Sequence, residues 1–380
     1  MDIKELRAEL DQIDLELVSL FTKRMDTIAR IAKDKTQNHL PVLDSERERK
    51  VLNRVAEISG EKMETYAKRL FHTLFDLSKS YQNQLLSHNS QLAQDIQAAT
   101  CELARQFPSK ANVACQGTEG SYSQQACEKL FALPTLMFFN DFESVFQAVE
   151  KGMCEYGLLP VENSLAGTVI AVYDLMEKHK FHIVRSIRLR INHVLLAKKS
   201  VVFDDIKEIV SHEQAIGQCS QFLKAHPQIK VTLFSNTAAA AKYVAESSRS
   251  DLAAISSETC AELYNLDILT NNIQNRDNNY TRFICISKDM KIYPGANKIS
   301  ILLSLPHKPG SLCTLLAKFS SLGLNLTKLE SRPVIGKDFE FMFYFDFDAS
   351  IYLTETVNLL CELENSLSKF IFLGSYSEIF

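Results

Sequence analysis

The first 92 residues space their hydrophobic positions as long α-helices do. Apolar residues recur at alternating intervals of three and four, the spacing of a coiled-coil seam, at Ile3, Leu6, Leu10, Ile13, Leu17 and Leu20. The pattern predicts one helix from about Ile3 to Lys35, roughly 50 Å long at 1.5 Å per residue. Because this length exceeds the span of a domain of about 90 residues, we expect the helix to pack along a partner chain.

The pattern changes twice after residue 92. Residues 93–108 are weakly patterned and predict a helical linker. Across residues 109–288, short β-rich runs alternate with helical patterns, which indicates an α/β domain with a largely parallel sheet. Residues 297–380 follow the order β-α-β-β-α-β of a ferredoxin-like α+β unit. Phenylalanines at every second position from Phe339 to Phe347 support a strand there.

Composition narrows the possible functions. A chain of 380 residues predicts two or three domains, and its net charge of −4 includes no long basic run. Nucleic-acid and anionic-membrane surfaces are therefore disfavoured. The N-terminus MDIKELRAEL is charged where a signal peptide needs an apolar run, and no apolar stretch is long enough to span a bilayer. Nine scattered cysteines without a C-x-x-C motif indicate thiols in a reducing cytoplasm, with no metal site and no cofactor motif.

A cation interrupts the helical seam. Arg24 takes the next seam position, and Lys35 lies about three turns further on, so both project from one face. A snorkelling side chain near a helix end explains Arg24 equally well when it is considered alone. Arg7 points about 100° away from this face, so it reaches the same site only across a dimer.

Further polar residues share faces on the next two predicted helices. They are Asp44, Arg47 and Glu48 on the second helix, after Pro41, and Ser80 and Gln84 on the third. Each group alone is explained by a solvated helix face. Together with Arg7, Arg24 and Lys35, however, they resemble in order and spacing the active-site set of the all-helical chorismate mutases. The resemblance implies an intertwined helical dimer in which Arg7 enters the partner's site.

The resemblance also implies roles for these residues. Chorismate is a dicarboxylate whose rearrangement requires no proton transfer, so the site must hold the folded conformer and stabilise charge on the ether oxygen. Arg7, Arg24 and Arg47 would hold the carboxylates, and the catalytic pair Lys35 and Gln84 would donate to the ether oxygen. The remaining substrate-binding residues are Asp44 and Glu48, which would receive the ring hydroxyl, and Ser80.

The α/β segment contains polar stretches where strands end and helices begin. They are GTEGSYSQQA (117–126), LPVENSLAGTV (159–169) and SHEQAIGQCSQFL (211–223). Helix N-termini after strands are natural anion sites, although N-capping alone is the usual reason for such residues. With the TRF sequence at 281–283, the segment resembles prephenate dehydratase along its whole length. That family has two α/β lobes like those of periplasmic binding proteins, with the substrate between them.

The dehydratase resemblance implies a substrate-binding set. Its members are Ser121, Tyr122, Ser123, Glu162, Asn163, Ser164, Ser211, Gln218, Thr281, Arg282 and Phe283. Aromatisation drives loss of hydroxide and carbon dioxide from prephenate, so the leaving hydroxyl mainly needs a hydrogen-bond donor. The family assigns that catalytic role to Thr281, and whether it gives its own proton or relays one from a carboxyl such as Glu162 stays open.

Two C-terminal stretches resemble the effector motifs of ACT domains. HKPGSLCTLL (307–316) and LESRPV (329–334) supply the predicted effector-binding residues Gly310, Ser311, Leu312, Glu330, Ser331, Arg332 and Pro333. A glycine turn and a charged strand end explain each stretch separately. Following a dehydratase segment, they indicate feedback control by L-phenylalanine.

The three resemblances together predict a bifunctional cytoplasmic enzyme of phenylalanine biosynthesis that needs no cofactor. It converts chorismate to prephenate and prephenate to phenylpyruvate, and it forms a homodimer or a higher oligomer. A chain with one inactive site is an alternative. A non-catalytic ligand-binding regulator is another, because lobed α/β and ACT folds both serve sensing. Substrate channelling and the arrangement of the domains stay open.

Overall fold

The computed structural model describes residues 2–38, 44–86, 90–101, 106–333 and 341–380. These residues divide into two compact units. The first comprises Met1–Gln97 and Tyr352–Lys369, and the second comprises Ala98–Ile351 and Phe370–Phe380. The division at residues 97 and 98 falls within the predicted linker, and it groups the last helix of the chain with the N-terminal helices. The predicted domain boundaries at residues 92, 108, 288 and 297 stay predictions.

The first unit is helical. Its helices are α1 (Ile3–Gln37), α2 (Ser45–Leu86), the start of α3 (Gln91–Cys101) and α12 (Thr354–Ser366). The long first helix is confirmed. Gly60 has φ 68° and ψ 164° and breaks α2 into two arms. The arms fold back on each other, since Lys79 Nζ lies 3.4 Å from Glu48 Oε1. Glycine adopts this backbone conformation at little steric cost.

The second unit begins with an α/β lobe. Its strands are β1 (Lys110–Gln116), β2 (Leu133–Phe139), β3 (Tyr156–Asn163), β4 (Gly167–Thr168), β5 (His182–Arg190) and β11 (Tyr280–Ser287). Its helices are α4 (Tyr122–Leu130), α5 (Phe142–Glu150) and α6 (Ile170–His179). The sheet order is β5-β11-β3-β1-β2, with β1 parallel to both of its neighbours and β11 antiparallel to both of its own. Val113, Leu158 and Cys285 are fully buried in the core of the sheet.

A second α/β lobe is inserted between β5 and β11. Its strands are β6 (Val194–Ala197), β7 (Glu208–Ser211), β8 (Lys230–Leu233), β9 (Leu252–Ser256) and β10 (Asp267–Thr270), in the order β10-β6-β9-β7-β8. Its helices are α7 (Glu213–Gln218), α8 (Ser220–Lys224), α9 (Thr237–Glu246) and α10 (Thr259–Leu263). The chain passes between the lobes twice, at residues 191–193 and 271–279. The predicted two-lobed α/β architecture is confirmed.

The last four strands form an antiparallel sheet. They are β12 (Lys298–Ser304), β13 (Asn325–Pro333), β14 (Phe341–Asp348) and β15 (Phe370–Ile379), in the order β13-β14-β12-β15, and α11 (Ser311–Ser321) follows β12. The element order matches the predicted β-α-β-β-α-β sequence, although Phe339 lies outside the described residues. The end of β15 pairs with β5 in parallel, so this sheet continues into the first α/β lobe.

Among the helices of the described segments, none is long and apolar enough to cross a membrane.

Candidate active site

A cavity of about 440 Å³ opens between the two α/β lobes. The ends of β3 and β11, the short strand β4 and the starts of α4, α7 and α9 form its wall. The predicted substrate-binding residues that line it are Ser121, Tyr122, Ser123, Asn163, Gln218, Thr281 and Phe283. The fold therefore brings parts of four distant motifs to one cavity.

Three helices begin at the cavity wall. Ser121, His212 and Asn236 cap α4, α7 and α9, and each accepts a hydrogen bond from a backbone N–H of the first turn. The N-terminus of a helix carries partial positive charge and unpaired N–H groups. The cavity is thus lined by fixed dipoles that suit carboxylate groups.

The described residues that line the cavity include no side chain with a permanent positive charge. Among the described residues that line the cavity, none is Lys or Arg, and the histidines are His193 and His212. Burial lowers the pKa of His193, although its hydrogen bond to Gln218 acts in the opposite direction. His193 is therefore neutral near neutral pH, and helix dipoles, hydroxyls and amides are left to bind an anion.

Thr281 lies beside Asn163 in this wall. The two residues are register partners on β11 and β3, and Asn163 Nδ2 donates to Thr281 Oγ1 over 3.0 Å. Asn163 Oδ1 in turn accepts from the backbone N–H groups of Leu165, at 3.0 Å, and Ala166, at 2.8 Å. These backbone donors fix the orientation of the Asn163 amide, so the Thr281 hydroxyl oxygen must accept from Asn163 Nδ2. The hydroxyl proton of Thr281 is then free to be donated to a molecule bound in the cavity.

Arg282 and Glu162 occupy the opposite face of the same two strands, because successive side chains on a strand alternate. Arg282 is 7% exposed, donates to Asp346 Oδ2 over 2.5 Å and lies 3.0 Å from Glu378 Oε1. Glu162 Oε2 lies 3.5 Å from Lys328 Nζ. Neither lines the cavity, so this geometry gives no support to the predicted substrate-binding role of either residue or to Glu162 as the carboxyl behind Thr281.

Ser164 and Ser211 are not among the residues that line this cavity. Ser211 is fully buried and donates to the carbonyl oxygen of Ile255. Ser164 lines an adjoining pocket that shares Gln218 with the cavity, and its hydroxyl donates to the carbonyl oxygen of Asn278. Both hydroxyls contact backbone groups, and their predicted binding roles stay predictions.

The cavity contains polar residues that the motifs did not suggest. Asn236 and Thr237 come from the start of α9, where the run SNTAAAA is a recognisable N-cap signal. Thr168 follows the VEN motif on β4. His193 precedes β6 in a chain crossover, where no periodic pattern marks a site.

The predicted chorismate-binding residues lie in the helical unit. Arg24 donates to the carbonyl oxygen of Leu74, at 3.2 Å, and to the hydroxyl of Ser78. Burial lowers the pKa of Arg24. Arg7 is exposed on the first turns of α1, and Lys35 is half-buried near its end. The single chain thus holds Arg24 between α1 and α2.

The other members of this set lie along α2 or just before it. Asp44 accepts from the backbone N–H of Arg47, whose side chain is exposed, and Glu48 pairs with Lys79. Ser80 donates to Glu362 Oε2 on α12 over 2.7 Å. The side chain of Gln84 lies outside the described residues, as does Pro41.

The predicted effector residues lie on α11 and β13. Gly310 has φ 85° and precedes Ser311 and Leu312 at the start of α11. The second group is Glu330, Ser331, Arg332 and Pro333 at the end of β13. Glu330 Oε2 accepts from Thr168 Oγ1 over 2.6 Å, so this group contacts the cavity wall directly.

The described part of the chain contains no candidate metal-binding site. No three His, Cys, Asp or Glu side chains there lie together as ligands for an ion.

Two family models and several known proteins match this chain. Residues 6–83 match the family model for chorismate mutase type II, and residues 113–291 match the model for prephenate dehydratase. The bifunctional chorismate mutase/prephenate dehydratase of Escherichia coli K12 is 30% identical over 379 residues, covering 98% of this chain and 95% of that protein. The Arabidopsis thaliana chloroplastic arogenate dehydratase/prephenate dehydratase 2 is 37% identical over 280 residues, covering 70% of this chain and 73% of that protein.

A solved structure resembles the chain as well. The prephenate dehydratase of Arthrobacter aurescens, determined in complex with L-Phe, has a TM-score of 0.64 and 28% identity, covering 70% of this chain and 89% of that one. The relative that spans nearly the whole chain carries both activities in its name, and both family models match in the same order. The chain therefore belongs to the family of bifunctional chorismate mutase/prephenate dehydratases.

Proposed function

We propose that Thr281 is the hydrogen-bond donor to the leaving hydroxyl of prephenate in the cavity between the lobes. The observation that supports this proposal is the fixed amide of Asn163, which donates to Thr281 Oγ1 and leaves the threonine proton directed away from Asn163. The hydroxyl leaves as the ring becomes aromatic, and a preorganised donor stabilises the charge that develops on it.

The surroundings of Thr281 favour direct donation over a relay. Among the described residues that line the cavity there is no Asp or Glu. A threonine hydroxyl is too weak an acid to give up its proton outright, so Thr281 acts as an electrostatic donor. The departing hydroxide becomes water by taking up one proton from the buffered solvent after it is released. The carboxylates of prephenate bind at the N-termini of α4 and α9, where Ser123 and Thr237 add hydroxyl donors.

The helical unit is proposed to rearrange chorismate as an intertwined dimer. Support comes from the apolar seam of α1, where Ile3 is 62% exposed, Leu10 58% and Leu20 62% in the single chain. A second copy that packs along α1 would bury this seam and bring Arg7 to the partner's Arg24. The assigned roles of Lys35, Asp44, Arg47, Glu48, Ser80 and Gln84 are part of the same proposal.

Shared mutase sites predict complementation between inactive variants. Arg7→Ala and Arg24→Ala should each lose most mutase turnover, because each removes a cation that holds a carboxylate. After mixing under conditions that exchange subunits, about a quarter of wild-type mutase activity should return. Half of the dimers are then mixed, and each mixed dimer has one intact site. Chorismate loss measured before and after exchange gives the result, and no recovery in demonstrably mixed dimers would refute the shared site.

We also propose that the C-terminal β-α-β-β-α-β segment is an ACT domain that binds L-phenylalanine and inhibits the dehydratase. The supporting contact joins the second effector motif to the cavity. Thr168, which lines the cavity, donates to Glu330, and Lys328 Nζ lies 3.0 Å from Thr168 Oγ1. Arg332 adds an ion pair of 3.2 Å to Asp174 on α6. Movement of β13 on effector binding would therefore displace the cavity wall.

Thr168→Val should uncouple the two sites. We expect calorimetry to show L-phenylalanine affinity within about twofold of wild type. Maximal inhibition of prephenate turnover should fall about fivefold or more, which is roughly the effect of losing one contact that couples the two sites. Thr237→Val is the matched control, since Thr237 lines the cavity from the other lobe. Full inhibition in Thr168→Val, or an equal loss in Thr237→Val, would argue against this route.

A further inference from the structure

His193 lies at the crossover between the lobes and is 2% exposed. Its ring lines the cavity, and its Nε2 lies 2.9 Å from Gln218 Oε1. Its Nδ1 lies 3.2 Å from the hydroxyl of Tyr122, which itself donates to the carbonyl oxygen of Asn192 over 2.5 Å. A buried imidazole with both nitrogens engaged has its ring position and proton location set by its neighbours.

A chain of amides fixes which nitrogen of His193 carries the proton. It begins at Asn163, whose Oδ1 faces two backbone N–H groups and whose Nδ2 faces the carbonyl oxygen of Tyr280. Because backbone donors and acceptors cannot exchange roles, the Asn163 amide has one orientation. Asn163 Nδ2 then donates to Asn279 Oδ1 over 2.8 Å, which makes Asn279 an acceptor on that side.

The constraint continues to the histidine. Asn279 must present its Nδ2 to Gln218 Oε1, 2.8 Å away, and Gln218 Nε2 faces back to Asn163 Oδ1 at 3.4 Å. Gln218 Oε1 is thus an acceptor, so the nitrogen of His193 that approaches it must be the protonated one. A neutral imidazole then carries its proton on Nε2, and its Nδ1 accepts a share of the Tyr122 hydroxyl proton, which also lies towards the carbonyl oxygen of Asn192.

We propose that His193 is a positioning residue of the dehydratase, which holds Thr281 in its donating geometry through Gln218, Asn279 and Asn163. Its Nε2–H anchors Gln218 of the second lobe against Asn279, and Asn279 holds the amide that donates to Thr281. The chain of contacts spans both lobes, since Gln218 belongs to α7 and Thr281 to β11. Backbone groups of the first lobe already set the orientation of the Asn163 amide, and the contact with Gln218 adds a restraint from the second lobe.

Two substitutions separate positioning from packing. His193→Leu removes the Nε2–H donor, and we expect kcat for prephenate to fall about fivefold, the effect of one lost hydrogen bond, with KM within about twofold. His193→Gln supplies an N–H near the position of Nε2 and should recover at least half of wild-type kcat. Thermal unfolding followed by circular dichroism reports whether the α/β unit of each variant is folded. If His193→Gln is as impaired as His193→Leu while both unfold at the wild-type temperature, the proposal is overturned.

A double-mutant comparison tests the route through Thr281, on whose proposed role this inference rests. In a Thr281→Val background, His193→Leu should cost no further activity, whereas a general structural defect would add its full effect. An active Thr281→Val enzyme would refute the role of Thr281 itself. Additive losses in an impaired Thr281→Val enzyme would refute only the inference about His193.

The protonated nitrogen of His193 can be measured in the wild-type protein, with His193→Gln used only to assign its signal. Nitrogen-15 NMR of histidine-labelled protein should show one imidazole protonated at Nε2 and not at Nδ1, and this signal should disappear in His193→Gln. A signal protonated at Nδ1 at this position would contradict the chain of amide orientations.

Discussion

Replacing Thr281 by valine is expected to lower kcat for prephenate dehydration about 100-fold or more. Valine keeps the shape of threonine but cannot donate, and loss of one preorganised donor to developing charge typically has an effect of this size. The substitution also leaves Asn163 Nδ2 without the acceptor that it has 3.0 Å away. Because Asn163 has other acceptors in Asn279 and Tyr280, the protein should still fold. Phenylpyruvate formation at saturating prephenate measures the change.

Thr281→Ser is the matched control. Serine restores the hydroxyl without the methyl group and should keep kcat within about fivefold of wild type, since the donor is present but rotates more freely. Mutase turnover of the same preparations should match wild type in both variants, because that chemistry takes place in the other unit. Comparable activity of the valine and serine variants would show that the hydroxyl of Thr281 does not assist the leaving group.

The TRF and VEN motifs show what a sequence motif predicts and what it does not. The motifs include Thr281 and Asn163, which are register partners facing the cavity. They also included Arg282 and Glu162, which are register partners on the other face. Strand alternation alone indicates that adjacent residues of one strand do not both face one cavity. What the sequence could not show was the sheet on the far side that receives Arg282.

One exception to simple alternation lies on β3. Pro160 and Asn163 both line the cavity although they are three residues apart. The register between β11 and β3 shifts between Arg282 and Phe283, so β3 carries an extra residue at this point. A bulge of this kind re-aims a side chain, here that of Asn163, and depends on the pairing of strands that lie far apart in sequence.

The helical unit was predicted more fully, because its signal is local. The spacing from Ile3 to Leu20 predicted the long α1, which the structure shows, and the apolar seam of α1 is exposed in the single chain. His193 is the opposite case. Its role depends on amides from α7 and from residue 279, and no periodicity in the sequence relates these positions.

Arg282→Met is expected to destabilise the α/β unit by about 3–5 kcal/mol, the usual effect of removing one partner from a buried ion pair. Asp346 and Glu378 lie 2.5 Å and 3.0 Å from the guanidinium, and the side chain of each is about 5–6% exposed. Glu378 keeps a second ion pair, since Arg188 Nε lies 2.9 Å from it. Burial alone would lower the pKa of Arg282, but its interactions with Tyr376 and Asp346 outweigh burial and raise that pKa. The arginine therefore stays charged, and its loss leaves the buried Asp346 carboxylate without this ion pair.

Two measurements distinguish this structural role of Arg282 from the substrate-binding role that the TRF motif suggested. Thermal unfolding followed by circular dichroism should show the α/β transition shifted down, while Arg190→Met, an exposed arginine on the adjacent β5, should change stability by less than about 0.5 kcal/mol. At temperatures where Arg282→Met remains folded, its KM for prephenate should stay within about threefold of wild type, because the guanidinium does not reach the cavity. A KM raised a hundredfold in folded protein would instead indicate that Arg282 binds the substrate, because losing a cation that contacts a substrate carboxylate has an effect of this size. Arg282 would then have to leave Asp346 and turn to the other face of β11, at the expense of the buried contacts that hold β11 to the C-terminal sheet.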